Sequence, residues 1–415
     1  MRRLCAVLLV SYAFLIAFGD AFKLHRWVPV PLVVLLVGVV VVGWALMLRG
    51  RVRLAPGYFT ASDLLLVAYI LSIGITLLLS TQVASKNVNH FVAYAVVIGF
   101  YYFFVKFLLA ADDTYEYYGS AVRTALASSV ALASAYALLE FVDSNFLRLG
   151  LTSLVSFPEE QRSYDALFLV FIRARGFMVE SGFLALFLNV AAPISLLHVR
   201  HTLGTPAALA FALIVAGALA VTFSVAGFTF LAIGLAVGAL LYVYDRAVVL
   251  VPLRSVVVLA AVVVVLLALG IALPPGVWAP IIGKLSLSDL SSGSARLAGW
   301  TQGLSVALEH PLLGTGIGST SRETGSGLIS FYLTMLKEGG VVTLGTIVLF
   351  LGGVLHRIGA LPVTSRYKYA YAASFIAAVC HYAVISDVWY PWLWLLCALI
   401  ACDARQASNH RVTLG

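Results

Sequence analysis

Six side chains in two polar segments of an otherwise apolar chain are the best candidates for chemistry. The first segment, residues 143–181, closes with Arg173-Ala174-Arg175-Gly176-Phe177-Met178-Val179-Glu180-Ser181. The second, residues 274–327, holds Lys284, Arg296, His310, Arg322 and Glu323. Guanidinium groups are planar, permanently charged forks that match phosphate oxygens, so Arg173, Arg175, Arg296 and Arg322 suit a substrate with an anionic leaving group. A proton must also be taken from the attacking group, and Glu180 or His310 could accept it. Each residue has a structural alternative. Arginines near a membrane also snorkel to lipid headgroups, Glu180 can pair with one of them, and His310 can cap the helix before Pro311.

The second segment contains Ser291-Ser292-Gly293-Ser294-Ala295-Arg296 and then His310-Pro311-Leu312-Leu313-Gly314-Thr315-Gly316-Ile317-Gly318-Ser319. Glycines at alternate positions let the backbone turn tightly and approach a ligand, with N–H groups open to oxyanions, which makes Gly314 and Gly316 candidate binding positions. A plain turn is the alternative. A nucleotide phosphate loop needs a preceding strand and a terminal Gly-Lys-Ser/Thr, and neither is present, so an ATP site is excluded. Residues 297–309 read as a helix capped by Ser294 and closed by Pro311. Neither segment holds an Asp/Glu pair at metal-like spacing. Cys5, Cys380, Cys397 and Cys402 form no CxxC pair, so no metal or other cofactor is expected.

These segments must be positioned by membrane helices. The 415 residues are 62% hydrophobic and 11% charged, with a mean hydropathy of +1.03. That composition lies outside the soluble range and indicates an all-α polytopic membrane protein. A spanning helix needs roughly 20 apolar residues. Hydropathy predicts twelve spans, near 4–18, 28–48, 64–80, 91–111, 121–142, 182–199, 206–222, 225–244, 255–273, 328–355, 369–385 and 388–403. They form a single integral membrane domain over residues 1–415, with 143–181 and 274–327 as its two large outer loops. Residues 206–244 are one apolar run whose length demands two crossings, with the boundary near residues 222–227. Residues 164–172, apolar and aromatic, suit a short interfacial helix. No small-x-small cleavage site follows residues 4–18, so the first helix is expected to be retained. Lys337-Glu338-Gly339-Gly340 interrupts the tenth span; its charges need partners and its glycines permit close packing.

With the N-terminus inside, 15 of the 26 Lys and Arg residues fall in cytoplasmic segments, which predicts an N-in, C-in topology. The net charge of +8 is therefore an orientation signal rather than a sign of nucleic-acid binding. Arginines retained in the outer loops against that preference suggest an anionic partner there.

The combination of Gly-Ser-x-Arg at residues 293–296 with His-Pro-Leu-Leu-Gly-x-Gly at 310–316 resembles the O-antigen ligase/polymerase superfamily. The helix at 333–345, with Glu338, Gly340 and Gly345, is similar to that family's Leu…Glu-x-Gly…Gly helix. Arg175-Gly176-Phe177 with Glu180 resembles the Arg-Gly-Phe…Glu segment of its polymerases. The resemblance covers roughly residues 170–350. Two positions depart from it. The histidine that the ligases carry about nine residues before the helix glutamate is replaced here, where Ile329 and Ser330 stand. An earlier Ser-Arg-Gly is here Ser224-Val225-Ala226-Gly227. The missing histidine favours a Wzy-type polysaccharide polymerase over a ligase.

The resemblance implies metal-independent glycosyl transfer on the outer face of the bacterial inner membrane. The donor would be a glycan on undecaprenyl pyrophosphate, and the acceptor a sugar hydroxyl of another lipid-linked repeat. It also implies a chain-length regulator as a partner. A ligase acting on lipid A-core and a non-enzymatic lipid-linked glycan transporter are the alternatives.

Overall fold

The computed structural model describes residues 1–25, 28–49, 58–79, 85–111, 113–150, 155, 167–168, 171–246, 290–320, 328–386 and 388–414. Helix makes up 81% of it and strand 2%. Helix α1 (Arg2–Leu15) leads through a 3₁₀ turn into a short hairpin, β1 (Lys23–His25) against β2 (Val28–Pro29). Then follow α2 (Val30–Arg49), α3 (Ala61–Leu79) and α4 (Ser85–Ala110), the last wound as π-helix over Val97–Phe104. Next come α5 (Thr114–Val142), α6 (Ser181–Leu203), α7 (Thr205–Val221) and α8 (Val225–Arg246). The chain closes with α9 (Leu290–Glu309), α10 (Phe331–Ala360), α11 (Lys368–His381) and α12 (Pro391–Leu414).

Among the described residues, seven helices are long and apolar enough to cross a membrane, and α7 is a shorter apolar helix. The span predicted near 255–273 lies outside the described residues. The apolar run 206–244 does divide: α7 ends at Val221 and α8 begins at Val225, with Phe223 at φ 47° between them.

Helix α6 is the centre of the bundle. Of its apolar window 78% is buried, against 17% for α8 and 28% for α2, which therefore lie at the outside of the described bundle. It packs on α5, α7, α8, α11 and α12. Without a hydrophobic force between helices in lipid, small residues that admit close approach hold such contacts. Helices α8 and α11 meet this way: a side chain on Gly234 or Gly238 would strike the backbone of Ala373 or Tyr369.

One end of the bundle gathers ion pairs. Lys106 bonds Asp63 at 2.6 Å, Arg123 bonds Asp403 at 2.8 Å and Lys368 bonds Asp245 at 2.8 Å. Pairing is what makes these partly desolvated charges tolerable.

Two local expectations are corrected. Of the interfacial helix expected over residues 164–172, the described residues are strand instead: β3 (Leu167–Phe168) pairs antiparallel with β4 (Phe171–Ile172), and the rest lies outside the described residues. Asn145 supplies the reason, since its side chain bonds both the N–H of Ile172 (2.7 Å) and its carbonyl (3.0 Å), acting as a further strand. Ser294 is no N-cap, because α9 already begins at Leu290 and Ser294 lies inside it.

Candidate functional site

Both motif segments meet the end of the bundle opposite the ion pairs. Helix α10 is broken at Gly340, whose φ of 66° and ψ of −171° no helix accommodates. This conformation is essentially restricted to glycine. A broken helix in lipid leaves backbone groups that must find partners. The loop after α9 provides them. The N–H groups of Thr315 and Gly316 donate to the carbonyls of Lys337 and Glu338, both at 2.9 Å. In return, the carbonyls of Pro311 and Leu312 accept the N–H groups of Val341 (2.8 Å) and Val342 (3.4 Å). A side chain on Gly340 would overlap the Leu312 carbonyl, and one on Gly314, at φ 64°, would overlap the backbone of Glu338.

Glu338 completes the joint. It is 2% exposed, and its carboxylate accepts the N–H groups of Gly318 (2.9 Å) and Thr320 (3.0 Å) through separate oxygens. Asn87 of α4 donates to the Ile317 carbonyl at 2.6 Å, tying the same loop to a third helix. The N–H groups of Gly314, Gly316 and Gly318 thus have acceptors inside the protein: His310, Glu338 and the Glu338 carboxylate. The alternating glycines hold a loop to a broken helix, which differs from the open oxyanion cradle expected for Gly314 and Gly316.

His310 stands exposed at the end of α9. Its N–H bonds the Val306 carbonyl and its own carbonyl takes the Gly314 N–H, so its backbone closes the helix. Trp300 of α9 donates to the Leu328 carbonyl at 3.1 Å, which fixes α9 beside the start of α10. The side chain of Arg296 and the whole of Lys284, Arg322 and Glu323 lie outside the described residues.

In the first segment, Arg173 is half-buried and its Nε donates to the Thr222 carbonyl at 2.8 Å. Arg175 is 8% exposed, with its Nε 3.7 Å from Glu140 near the end of α5. The other oxygen of Glu140 accepts the backbone N–H groups of Arg175 (3.0 Å) and Gly176 (2.6 Å). Glu180 is half-buried at the N-terminus of α6; its carbonyl accepts from Phe183 and its side chain does not cap the helix.

A chain of contacts joins the two segments. Phe177 stacks on Tyr136 at 4.3 Å and lies 4.6 Å from Phe18. The Val179 N–H donates to Asp20 at 3.2 Å, and the Tyr390 hydroxyl also bonds Asp20. Burial pushes the Asp20 carboxyl above the usual carboxylate range, against the opposing pull of Lys23 at 3.5 Å. Next to Tyr390, Trp389 packs on Tyr94 (4.3 Å) and His90 (5.4 Å). His90 shares α4 with Asn87, whose bond to the Ile317 carbonyl brings the path to the loop that Glu338 holds.

Glu140, Asp20, Asn87 and Tyr390 were not singled out in the sequence. A carboxylate inside an apolar span, as Glu140 is, carries a signal of its own; the other three carry none without the fold. No family model matches the chain and no curated protein matches it.

Proposed function

We propose that this protein is a glycosyltransferase of the bacterial inner membrane that extends a glycan carried on undecaprenyl pyrophosphate, working at the end that holds the two motif segments. The supporting observation is the run of contacts from Glu140 through Asp20, Tyr390 and α4 to the loop held by Glu338, which brings the described parts of both segments to one end of the bundle. The acceptor hydroxyl oxygen attacks the anomeric carbon of the donor, and the bond from that carbon to the diphosphate oxygen breaks. Its electron pair leaves with the diphosphate. Arg173, Arg175, Arg296 and Arg322 stabilise that charge. The hydroxyl proton passes to Glu180 or His310. Arg173, half-buried, is more accessible than Arg175. The N-terminus and C-terminus both lie inside in this reading.

A transporter is the second reading, because a broken helix is a common way to build a binding site at the membrane midplane. Against it, the backbone groups released at Gly340 already bond to the loop at 311–316. A ligase acting on lipid A-core is disfavoured by Ile329, where the ligases carry their histidine.

Purified protein supplied with undecaprenyl-pyrophosphate-linked repeats tests the proposal, with products sized on a gel. Longer lipid-linked glycan supports it. Transfer only to lipid A-core makes the protein a ligase, and no covalent change leaves the transporter. Arg296→Ala is expected to abolish elongation at unchanged expression.

A further inference from the structure

The far end of the bundle holds a second basic site. Arg200 lies 20 residues along α6 from Glu180, a rise of roughly 30 Å. There it lines an open cavity of about 540 Å³ together with His201, Arg246 and Arg366. Thr205, Thr364, Ser365, Tyr242 and Tyr369 supply hydroxyls to the same wall, and no Asp or Glu is among the lining residues. The nearest carboxylate, Asp245, is neutralised by Lys368 at 2.8 Å and accepts from the Tyr369 hydroxyl.

Three features point this cavity at an anion. Arg200, Arg246 and Arg366 form no ion pair with a described residue, and the buried Nε of Arg246 makes no hydrogen bond among them. The guanidinium of Arg246 is held over the Tyr242 ring at 5.4 Å, which fixes the direction of its fork. Helices α7 and α11 both begin at the cavity, and neither start is capped by a side chain. Helix starts carry orphan N–H donors and the positive end of the helix dipole.

We propose that this cavity binds a phosphate-bearing anion. Three guanidinium groups with no ion-pair partner among the described residues, one of them bonded to the Tyr369 hydroxyl, converge with two helix starts on one opening, and bidentate recognition of phosphate is the chemistry they share. The anion comes either from a lipid headgroup or from a soluble phosphate ester. The inference is independent of the reaction proposed for the opposite end.

The full chain reconstituted in phosphatidylcholine discs provides the test, with thermal unfolding and native mass spectrometry as readouts. One arm adds phosphatidylglycerol to the discs; the other titrates inorganic phosphate and pyrophosphate into discs without it. Stabilisation and retained lipid in the first arm alone identify a headgroup, and stabilisation in the second identifies a soluble phosphate. Arg200→Gln with Arg366→Gln changes two exposed side chains and leaves the packed core intact. It is expected to weaken binding at least about tenfold, while the paired Lys variants recover only part of it. The proposal is overturned if neither arm stabilises the protein, or if the Gln variant binds as the wild type does.

Discussion

Glu338 and Gly318, 20 positions apart, are joined by a carboxylate-to-backbone hydrogen bond of 2.9 Å in a fully buried setting. Since the N–H of Thr320 takes the other oxygen, each lone-pair direction of the carboxylate has a defined job. The glutamate inside the tenth span is thus explained by the loop it holds, and the carbonyl of the adjacent Lys337 takes the Thr315 N–H of that same loop.

Glu338→Gln tests that role. The amide keeps one oxygen and replaces the other with a donor, so one of the two N–H groups faces an NH₂. Leaving such a group unsatisfied costs about 1–3 kcal/mol. We expect a lower melting temperature in detergent and a larger drop for Glu338→Ala. A Gln variant that melts with the wild type would remove the carboxylate from the loop's support.

Gly340 and Gly345 both fall in the stretch resembling the family's late helix, yet their surroundings differ. Gly340→Ala forces a side chain into a glycine-only backbone region and into the Leu312 carbonyl. Strain of about 1–3 kcal/mol is expected from the backbone alone, with further loss as the loop shifts. A side chain on Gly345 meets nothing within 4 Å, so Gly345→Ala should stay within about 0.5 kcal/mol of wild type. Comparing the two unfolding curves separates a required break from ordinary helix glycine.

These contrasts mark how far the sequence could be read. Apolar length alone located most helices, and it divided residues 206–244 near residues 222–227, where the break falls at 222–224. The alternating glycines announced a special loop. Their spacing could not reveal whether the N–H groups face a ligand or a broken helix, because for Gly316 and Gly318 that depends on Glu338, 20 or more residues away. The aromatic run 164–172 fits helix or strand equally, and at its described residues Asn145 decides for strand by bonding Ile172. For Arg175 the sequence offers phosphate, lipid headgroups or Glu180 as partner and not Glu140, its neighbour in space, which lies 35 residues earlier inside a span.

Asp20 supplies a pH signature. Its folded-state affinity for the proton exceeds that of the unfolded chain, since burial disfavours the carboxylate. Below pH ~4 both states are protonated and the contribution to stability is fully present. As pH rises, the unfolded chain ionises first and stability declines until the raised folded-state value is passed. Asp20→Asn cannot ionise, so the difference in melting temperature between variant and wild type should grow with pH across that window and then level off. A constant difference from acidic to neutral pH would count against a buried, proton-retaining Asp20.

The pair formed by Glu140 and Arg175 calls for a double-mutant cycle rather than a single substitution. Glu140→Ala removes the counter-charge of a buried guanidinium and also the acceptor for two backbone N–H groups, so its loss, about 3–5 kcal/mol for a broken buried pair, overstates the pair itself. Arg175→Met removes only the guanidinium and leaves Glu140 with its backbone donors. The two losses should therefore be unequal and non-additive, with a coupling of about 0.5–3 kcal/mol between contacting residues. Arg175→Lys keeps the charge and loses the fork. If its melting temperature holds while elongation per folded molecule falls, Arg175 acts on the substrate beyond anchoring its own segment. If melting temperature falls and elongation per folded molecule holds, its work ends at Glu140, and Arg173 is left as the cation of that segment facing the diphosphate.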